Sequence, residues 1–373
     1  MQEDESNNTK QKAIFKTLQR EICSGKYDLS HPFPSEMQLV RRFKVSRFTA
    51  VQALKALENA HLIVRHKGKG TFTTKFAQNS IGPVGLIMPG LAYGEIFAPI
   101  CCEITRLCQK RGRTVLLGNT TAEIPAERAE AVKRLARDFV AQHVAGVIMH
   151  PIEFLPDSAD VNHEIAAIFE EAGVPVVLID YDIVPSPQRS SYDLVGIDNF
   201  TAGRCLGEHL ISEGVKRVLF IKRKNCASAV ENRLAGISVA MMSAGLEWTA
   251  ENVMIAEPED TDAVIRRLKK SHLRPDAVVC GYDAHAARVL KAVVKSLKRV
   301  SIPQDIKLAG FDDVRCASGL PLALTTIHQP CEAIARGAVE LLFRRLEDPD
   351  CPVCTMLLDA PLVIRESTRR TAK

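Results

Sequence analysis

The first part of the 373-residue chain carries apolar residues at helical spacing. One apolar residue in every four predicts a helix over 11–22. After two prolines, Ser35 and then Ser46 stand where a side-chain oxygen can cap a new helix, and these helices run to about Phe43 and Ala60. The tight turn between them predicts a helix-turn-helix.

The helix that follows Ser46 has two different faces. Its buried stripe consists of Ala50, Ala53, Leu54 and Leu57. The opposite face and its flank present Arg47, Phe48, Thr49, Gln52, Lys55 and Asn59. Arg, Gln and Thr side chains bind phosphates and base edges, so this face predicts contact with DNA. Phe48 leaves two interpretations open, contact with a thymine methyl group or packing against the preceding helix.

A glycine-rich loop joins two short β-like segments, 62–65 and 71–74. Gly68 permits a tight turn, and Lys67 and Lys69 place positive charge at its tip. The pattern predicts a wing that reaches a groove or the DNA backbone. Such a loop can also hold the phosphate of a nucleotide, but no helix follows it, which argues against that use.

Further along, short apolar segments alternate with amphipathic ones. The predicted strands are 84–88, 114–118, 146–149, 175–180, 194–197, 217–221, 277–280 and 307–310. The clearest predicted helices are 99–111, 126–142, 200–213 and 230–244. This alternation predicts an α/β fold with doubly wound parallel sheets, and its length favours two lobes.

Charge is distributed unevenly along the chain. Residues 1–80 hold 14 Lys and Arg against 7 Asp and Glu, whereas the remainder holds 35 against 37. A basic head on a near-neutral body indicates an anionic partner for the head, either nucleic acid or a membrane surface, or else only a solvated basic surface. The polar, acidic start, the absence of a long apolar run and 11 cysteines without disulfide spacing predict a soluble cytoplasmic protein.

Polar and aromatic residues follow the predicted strands of the body. Ligands of such folds bind beyond the carboxyl ends of the strands, where Asp and Arg can hold adjacent hydroxyl groups and aromatic rings can cover a sugar face. The ligand-binding candidates at these strand ends are Tyr93, Phe97, Asn119, His150, Asp180, Asp198, Tyr282, Asp283 and Asp312. For Asp312 a helix cap is the alternative.

The head resembles the winged-helix domain of the GntR family of bacterial transcription regulators over 11–75. The matching segments are Phe33-Pro-Ser-Glu36, Val45-Ser-Arg-Phe-Thr49, Ala53-Leu54, His61-Leu-Ile63 and Gly68-Lys-Gly-Thr-Phe72. The resemblance implies that Arg47, Thr49 and the wing meet DNA. Many members have basic residues where Met37 and Val51 stand, so other side chains must supply some phosphate contacts. The expected DNA-binding set is Ser35, Arg41, Arg42, Ser46, Arg47, Phe48, Thr49, Gln52, Lys55, Lys67, Gly68 and Lys69.

The body resembles the effector domain of the lactose/galactose-repressor (LacI) family, which is itself periplasmic-binding-protein-like. The matching segments include Gly173–Asp180, Asp198-Asn199, Arg233-Leu-Ala-Gly236, Gly281-Tyr-Asp283, Gly310-Phe-Asp-Asp313 and Leu324–Pro330. The resemblance implies a dimer with a small molecule, a sugar or sugar derivative, in an interlobe cleft. It adds Arg233 and Gln329 to the ligand-binding candidates and supports Asp312. For Arg233 a structural ion pair is the alternative. Tyr282 replaces a common Asn, which indicates that the ligand differs from the usual sugars.

These patterns predict a ligand-responsive repressor that binds a near-palindromic operator. The expected divisions are a head at 1–75, with 1–9 disordered, a linker at 76–82, a first lobe at 83–197 and 315–330, and a second lobe at 198–314 and 331–368. Cys351-Pro-Val-Cys354 has zinc or redox spacing but lacks a second ligand pair, and a turn is the preferred interpretation. Neither a catalytic set nor a metal or cofactor site is predicted. The alternative is a binding protein or metabolic enzyme with a basic docking head.

Overall fold

The computed structural model describes residues 2–23, 26–27, 31–74, 82–89, 91, 95–120, 124–185, 187–270, 274–297 and 299–369. The helices are α1 (Gln2–Cys23), α2 (Glu36–Phe43), α3 (Arg47–Asn59), α4 (Phe97–Lys110), α5 (Pro125–Ala141), α6 (Ser158–Glu171), α7 (Asn199–Ser212), α8 (Ser228–Ser243), α9 (Thr261–Lys269), α10 (Asp283–Ser296), α11 (Arg315–Gly319) and α12 (Cys331–Glu347). The strands are β1 (Ile63–His66), β2 (Gly70–Thr73), β3 (Val84–Ile87), β4 (Val115–Gly118), β5 (Gly146–Met149), β6 (Val176–Ile179), β7 (Asp193–Ile197), β8 (Val218–Lys222), β9 (Val253–Ile255), β10 (Ala277–Cys280), β11 (Lys307–Ala309), β12 (Thr326–Ile327), β13 (Thr355–Leu358) and β14 (Leu362–Val363).

The head consists of α1, α2, α3 and the antiparallel hairpin of β1 and β2, which confirms the winged helix-turn-helix. The oxygen of Ser35 accepts the backbone N–H of Gln38 in the predicted capping box. The three helices share one apolar core: Ile14, Leu18, Ile22, Leu39, Ala50, Ala53, Leu54 and Leu57. The first helix begins at Gln2 rather than at residue 11, so the polar segment that we expected to be disordered forms its first turns.

Six parallel strands form the sheet of the first lobe, in the order β13-β7-β6-β5-β3-β4. Its four inner strands, β3, β5, β6 and β7, are buried on both sides, because helices cover both faces of the sheet. Helices α4 and α12 pack on one face, and α5 and α6 pack on the other. The predicted parallel sheet with helices on both faces is confirmed.

Four parallel strands form the sheet of the second lobe, in the order β11-β10-β8-β9. Helices α7 and α8 pack on one face, and α9 and α10 pack on the other. The short antiparallel pair of β12 and β14 lies beside this sheet and carries the chain between the lobes.

The division of the late segments between the lobes differs from our prediction. Helix α12 and strand β13 lie in the first lobe, because Gly337 of α12 packs beside Val195 of β7 and β13 pairs with β7. Ala317 and Leu324 belong to the apolar core of the second lobe. The predicted assignment of 315–330 to the first lobe and of 331–368 to the second was therefore wrong for these elements.

Candidate ligand-binding cleft and nucleic-acid interface

A cavity of about 260 Å³ lies between the lobes, at the carboxyl ends of their strands. Its walls from the first lobe include Phe97, His150, Glu153, Phe154 and Asp180. Its walls from the second lobe include Arg223, Arg233, Tyr282, His285 and Asp312. The cavity therefore lies where a ligand site is expected in open parallel sheets, beyond the carboxyl ends of the strands.

Arg233 of α8 is the central cation of the cavity and is only 2% exposed. Its Nε donates to Oδ1 of Asn199 at 2.8 Å, and its Nη1 donates to the Gly281 carbonyl at 2.8 Å and lies 3.4 Å from Oδ1 of Asp312. The guanidinium also lies 4.7 Å from the ring centroid of Phe311. These partners offset the cost of burying the charge and fix the plane of the guanidinium.

Glycine allows α7 and α8 to place Arg233 this deeply. A Cβ on Gly203 would overlap the carbonyl oxygen of Arg233, and a Cβ on Gly236 would overlap the carbonyl oxygen of Phe200. The two helices consequently cross with their backbones in contact, and Arg233 faces the end of the sheet rather than solvent.

Asp312 follows β11 and faces Arg233 across the cavity. Its φ of 110° lies in the left-handed region, which turns the chain sharply after the strand. Burial, together with the charges of Asp180 and Glu153, raises the pKa of Asp312 to about 7, although Arg233 opposes this shift. Near neutral pH Asp312 can thus accept or donate a hydrogen bond to a ligand hydroxyl.

His150 and Asp180 form the first-lobe wall. Nε2 of His150 lies 3.5 Å from Oδ2 of Asp180, and its ring stands edge-on to Phe97 with centroids 4.6 Å apart. Burial alone would raise the pKa of Asp180, but His150 and Arg233 outweigh it and lower that pKa. Asp180 is therefore a charged acceptor for ligand hydroxyl groups.

Six of the predicted ligand residues line the cavity: Phe97, His150, Asp180, Arg233, Tyr282 and Asp312. Tyr93 lies outside the described residues. The other four do not line this cavity: Asn119, Asp198, Asp283 and Gln329.

Each of these four residues has a different place in the fold. Asp198 caps α7 by accepting the backbone N–H of Thr201. Asp283 is buried beneath the cavity floor, where Thr326 donates a hydrogen bond to it. Gln329 lines a neighbouring groove, and Asn119 follows β4 at the far edge of the first sheet.

Sequence reasoning missed several cavity residues, among them Glu153, Phe154, Arg223 and His285. Arg223 directly follows β8, and its place beyond the carboxyl end of a strand was a signal for the cleft. Glu153 and Phe154 lie in the loop after His150, where no apolar periodicity indicates which side chains turn inward. Burial lowers the pKa of His285 to about 4, which keeps its imidazole neutral at physiological pH.

The head presents α3 and the hairpin loop on its surface. Phe48 is 66% exposed, so it does not pack against the preceding helix, and Met37 of α2 is also exposed. Arg41, Arg47, Lys55, Lys67, Gly68 and Lys69 are exposed, and Gln52 is half-buried. The structure therefore brings a cationic rim and an apolar ring to one recognition helix and its wing.

Two residues of the predicted DNA-binding set have other partners. Thr49 is only 2% exposed, and its hydroxyl lies 2.8 Å from the hydroxyl of Ser46. Nη1 of Arg42 donates to Oε2 of Glu21 at 2.6 Å, and this contact lowers the pKa of Glu21 to about 2. Thr49 and Arg42 thus support the head's own structure. Ser35 and Ser46 are helix caps.

Arg65 of β1 is a cation of the wing that sequence reasoning did not select. Its Nη1 lies 3.6 Å from Glu36, whose other carboxylate oxygen accepts Nε of Arg47 at 3.3 Å. Glu36 therefore joins α2, α3 and the wing through two exposed guanidinium groups.

Other signals in the sequence have plain structural outcomes. Cys351 and Cys354 lie between α12 and β13, where Arg345 donates to the Cys351 carbonyl. Among the side chains that the structure describes, no group of three or more His, Cys, Asp or Glu is placed to hold a metal ion. No helix in the described part of the chain combines the length and apolarity that a membrane crossing needs.

Comparison with known families supports both halves of this description. Residues 10–73 match the family of bacterial regulatory proteins of the gntR type. Residues 208–368 match the periplasmic binding protein-like domain.

Individual relatives match two thirds or more of the chain. The HTH-type transcriptional repressor PurR of Klebsiella pneumoniae subsp. pneumoniae is 30% identical over 254 residues, which covers 67% of this chain and 69% of that protein. The ribose operon repressor of Halalkalibacterium halodurans is 25% identical and covers 77% of this chain and 80% of that protein. The structure of the transcriptional regulator CelR in complex with cellobiose matches with a TM-score of 0.66 at 22% identity, over 87% of this chain and 92% of that one, and shows the shared fold alone.

The fold, the cleft and these relatives agree. The chain is a transcription regulator that belongs to the family of LacI- and PurR-type repressors, with a DNA-binding head of the GntR type.

Proposed function

We propose that the protein is a repressor whose affinity for a near-palindromic operator is controlled by a sugar or sugar derivative bound in the interlobe cleft. The cavity at Arg233 is the observation that carries this proposal. Arg233, Asp180 and Asp312 supply charged donors and acceptors from both lobes, which is the chemistry that adjacent hydroxyl groups require.

The size and walls of the cavity narrow the ligand further. About 260 Å³ is below the roughly 300–1,000 Å³ of sites for drug-sized ligands, so we expect a single ring or a similarly small molecule. Phe97 and Tyr282 supply aromatic surfaces for the apolar face of such a ring. The ribose operon repressor and the cellobiose-bound regulator are relatives whose names refer to sugars.

The head is proposed to read DNA as one half of a homodimer in the cytoplasm. Two copies of α3 would enter successive major grooves, about one helical turn apart, while Lys67 and Lys69 contact the backbone. Arg47 is the candidate for base contact because its side chain is exposed on the first turn of α3. Phe48 is the candidate for contact with a thymine methyl group.

Control would operate through the two lobes. A ligand that contacts both lobes favours one arrangement of them, and a dimer converts that arrangement into a separation of its two heads. We expect ligand binding to release the operator. No turnover of the ligand is expected, and conversion of a sugar by purified protein would favour the enzyme alternative.

The test combines operator selection with a sugar screen. The full chain is used to select duplexes from a random pool, and the affinity for the selected duplex is measured by fluorescence anisotropy at fixed salt with a panel of neutral sugars. We expect one sugar class to lower operator affinity at least fivefold. A chain that binds no duplex better than random competitor, or that responds to no member of the panel, would contradict the proposal.

Arg233→Lys locates the response in the cleft. Lysine keeps the charge but cannot bond Asn199, Gly281 and Asp312 with one planar group, so operator binding should persist while the response to sugar is lost. Arg204→Lys on the neighbouring helix α7 is the matched control, since Arg204 is exposed and pairs only with Glu208 among the described ion pairs. A normal sugar response in Arg233→Lys would remove Arg233 from the site.

A further inference from the structure

We infer that Glu153 and Phe154 form an interlobe strap, in which Glu153 is the positioning residue that ties the first lobe to Tyr282 of the second. The strap belongs to the loop between β5 and α6 of the first lobe. Its polar and ring contacts reach the loop between β8 and α8, and Tyr282 directly before α10, in the second lobe.

The carboxylate of Glu153 makes the first part of the strap. Its Oε2 accepts the hydroxyl of Tyr282 at 3.0 Å and the backbone N–H of Ala227 at 3.3 Å. Glu153 is half-buried, and no described ion pair involves its carboxylate. Two donors from the second lobe thus hold a first-lobe carboxylate, and Tyr282 is at the same time a wall of the ligand cavity.

Phe154 makes the second part of the strap. Its backbone N–H donates to the carbonyl of Asn225 at 2.9 Å, and Cζ of Arg223 lies 3.7 Å from the centroid of its ring. The φ of Phe154 is 64°, in the left-handed region that is unfavourable for a non-glycine residue. The contacts with Arg223 and Asn225 hold it there.

An apolar contact lies beside these polar ones. Tyr181, which follows β6 of the first lobe, forms a small buried cluster with Ala227 and Ala229 at the start of α8. Every group in the strap belongs to the protein, so no ligand atom is needed to complete it. The strap therefore sets the equilibrium between lobe arrangements on which a ligand acts.

The regulatory consequence rests on the proposed function, but the strap can be tested without ligand or DNA. The backbone N–H groups of Phe154 and Ala227 are each held by the opposite lobe. Hydrogen–deuterium exchange of the full chain, followed by mass spectrometry of peptides covering 152–156 and 225–229, reports directly on docking. Because this experiment needs neither ligand nor DNA, it can refute the strap without refuting the proposed repressor function, and the operator experiment can refute that function without refuting the strap.

Glu153→Ala and Tyr282→Phe should each raise exchange in both peptides by about tenfold. Glu153→Gln should stay close to the unmodified chain, because an amide oxygen still accepts a hydrogen bond. Tyr192→Phe is the matched control. The Tyr192 hydroxyl donates to Glu170 at 3.1 Å within the first lobe, so removing this hydroxyl should leave the exchange of both peptides unchanged.

Two results would overturn the inference. The first is unchanged exchange at both peptides in Tyr282→Phe, which removes a single hydroxyl and keeps the fold. The second is faster exchange in only one of the two peptides, because undocking must free both partners together.

Discussion

The protonation of single residues in and beneath the cleft depends on pH. Asp283 is the clearest case, because it is fully buried beneath the cavity floor. Burial, and then the charge of Asp312, raise the pKa of Asp283 well above its usual range, although Thr326 and the backbone N–H of Val314 oppose this shift. The folded protein therefore retains a proton that the unfolded chain releases above about pH 4.

This proton gives the first prediction. The free energy of unfolding should fall as pH rises from about 4 through the folded pKa of Asp283, because the unfolded state binds fewer protons over that interval. Asp283→Asn should make this decline shallower. Urea unfolding of both chains at several pH values measures it, and identical slopes would contradict the assignment.

Arg47 carries the second prediction, on DNA reading. If it contacts a base, Arg47→Ala should cost about 1–3 kcal/mol of binding to the selected operator and relax specificity at one base-pair position. Arg41→Ala on α2 is the matched exposed cation, for which a phosphate contact predicts a weaker and sequence-independent loss. Equal losses on operator and random DNA for Arg47→Ala would show that it contacts phosphate only.

The sequence could predict which residue types meet at the site but not their final partners. The LacI resemblance points to Arg233 and Asp312, of which Asp312 also follows a predicted strand, and both line the cavity. Thr49 was expected on the DNA face, yet it turns into the core of the head and bonds Ser46. A one-helix projection does not include the neighbouring helix, so it cannot decide the burial of residues at the edge of a face.

At the scale of elements, the deep position of Arg233 depends on two helices that touch. Helices α7 and α8 make this contact through glycine, because a Cβ on Gly236 would overlap backbone atoms of Phe200 and Arg204. Backbone atoms cannot move aside as a flexible side chain can.

Gly236→Ala should therefore destabilise the protein by about 1–3 kcal/mol or more and displace Arg233. Gly319→Ala in α11 is the control, since a Cβ there meets nothing within 4 Å and alanine favours a helix. Urea unfolding measures both variants. A Gly236→Ala chain as stable as the unmodified one would show that α7 and α8 are free to separate.

Most elements of the body could be predicted because each buried strand is a short apolar run between helical patterns. The predicted strands 146–149 and 277–280 have the observed boundaries. The strand β13 was missed because it is an edge strand with exposed positions, and such strands lack a continuous apolar signal. The lobe to which α12 belongs could not be predicted from its own sequence, because it depends on how the chain returns to the first sheet.

At the scale of the whole molecule, a cationic head precedes a two-lobed body. The strap and the cleft share Tyr282, so a ligand at Arg233 and the docking of Glu153 would act on the same lobe equilibrium. Operator binding by the two heads of a dimer would also shift this lobe equilibrium. Two ligands that bias one equilibrium must change each other's affinity by the same factor.

This reciprocity can be measured with the purified protein. The affinity of the full chain for its effector sugar is measured by calorimetry, first alone and then saturated with operator duplex. We expect operator to weaken sugar binding by the same factor by which sugar weakens operator binding. An effector affinity that is identical with and without operator would contradict ligand control of DNA binding.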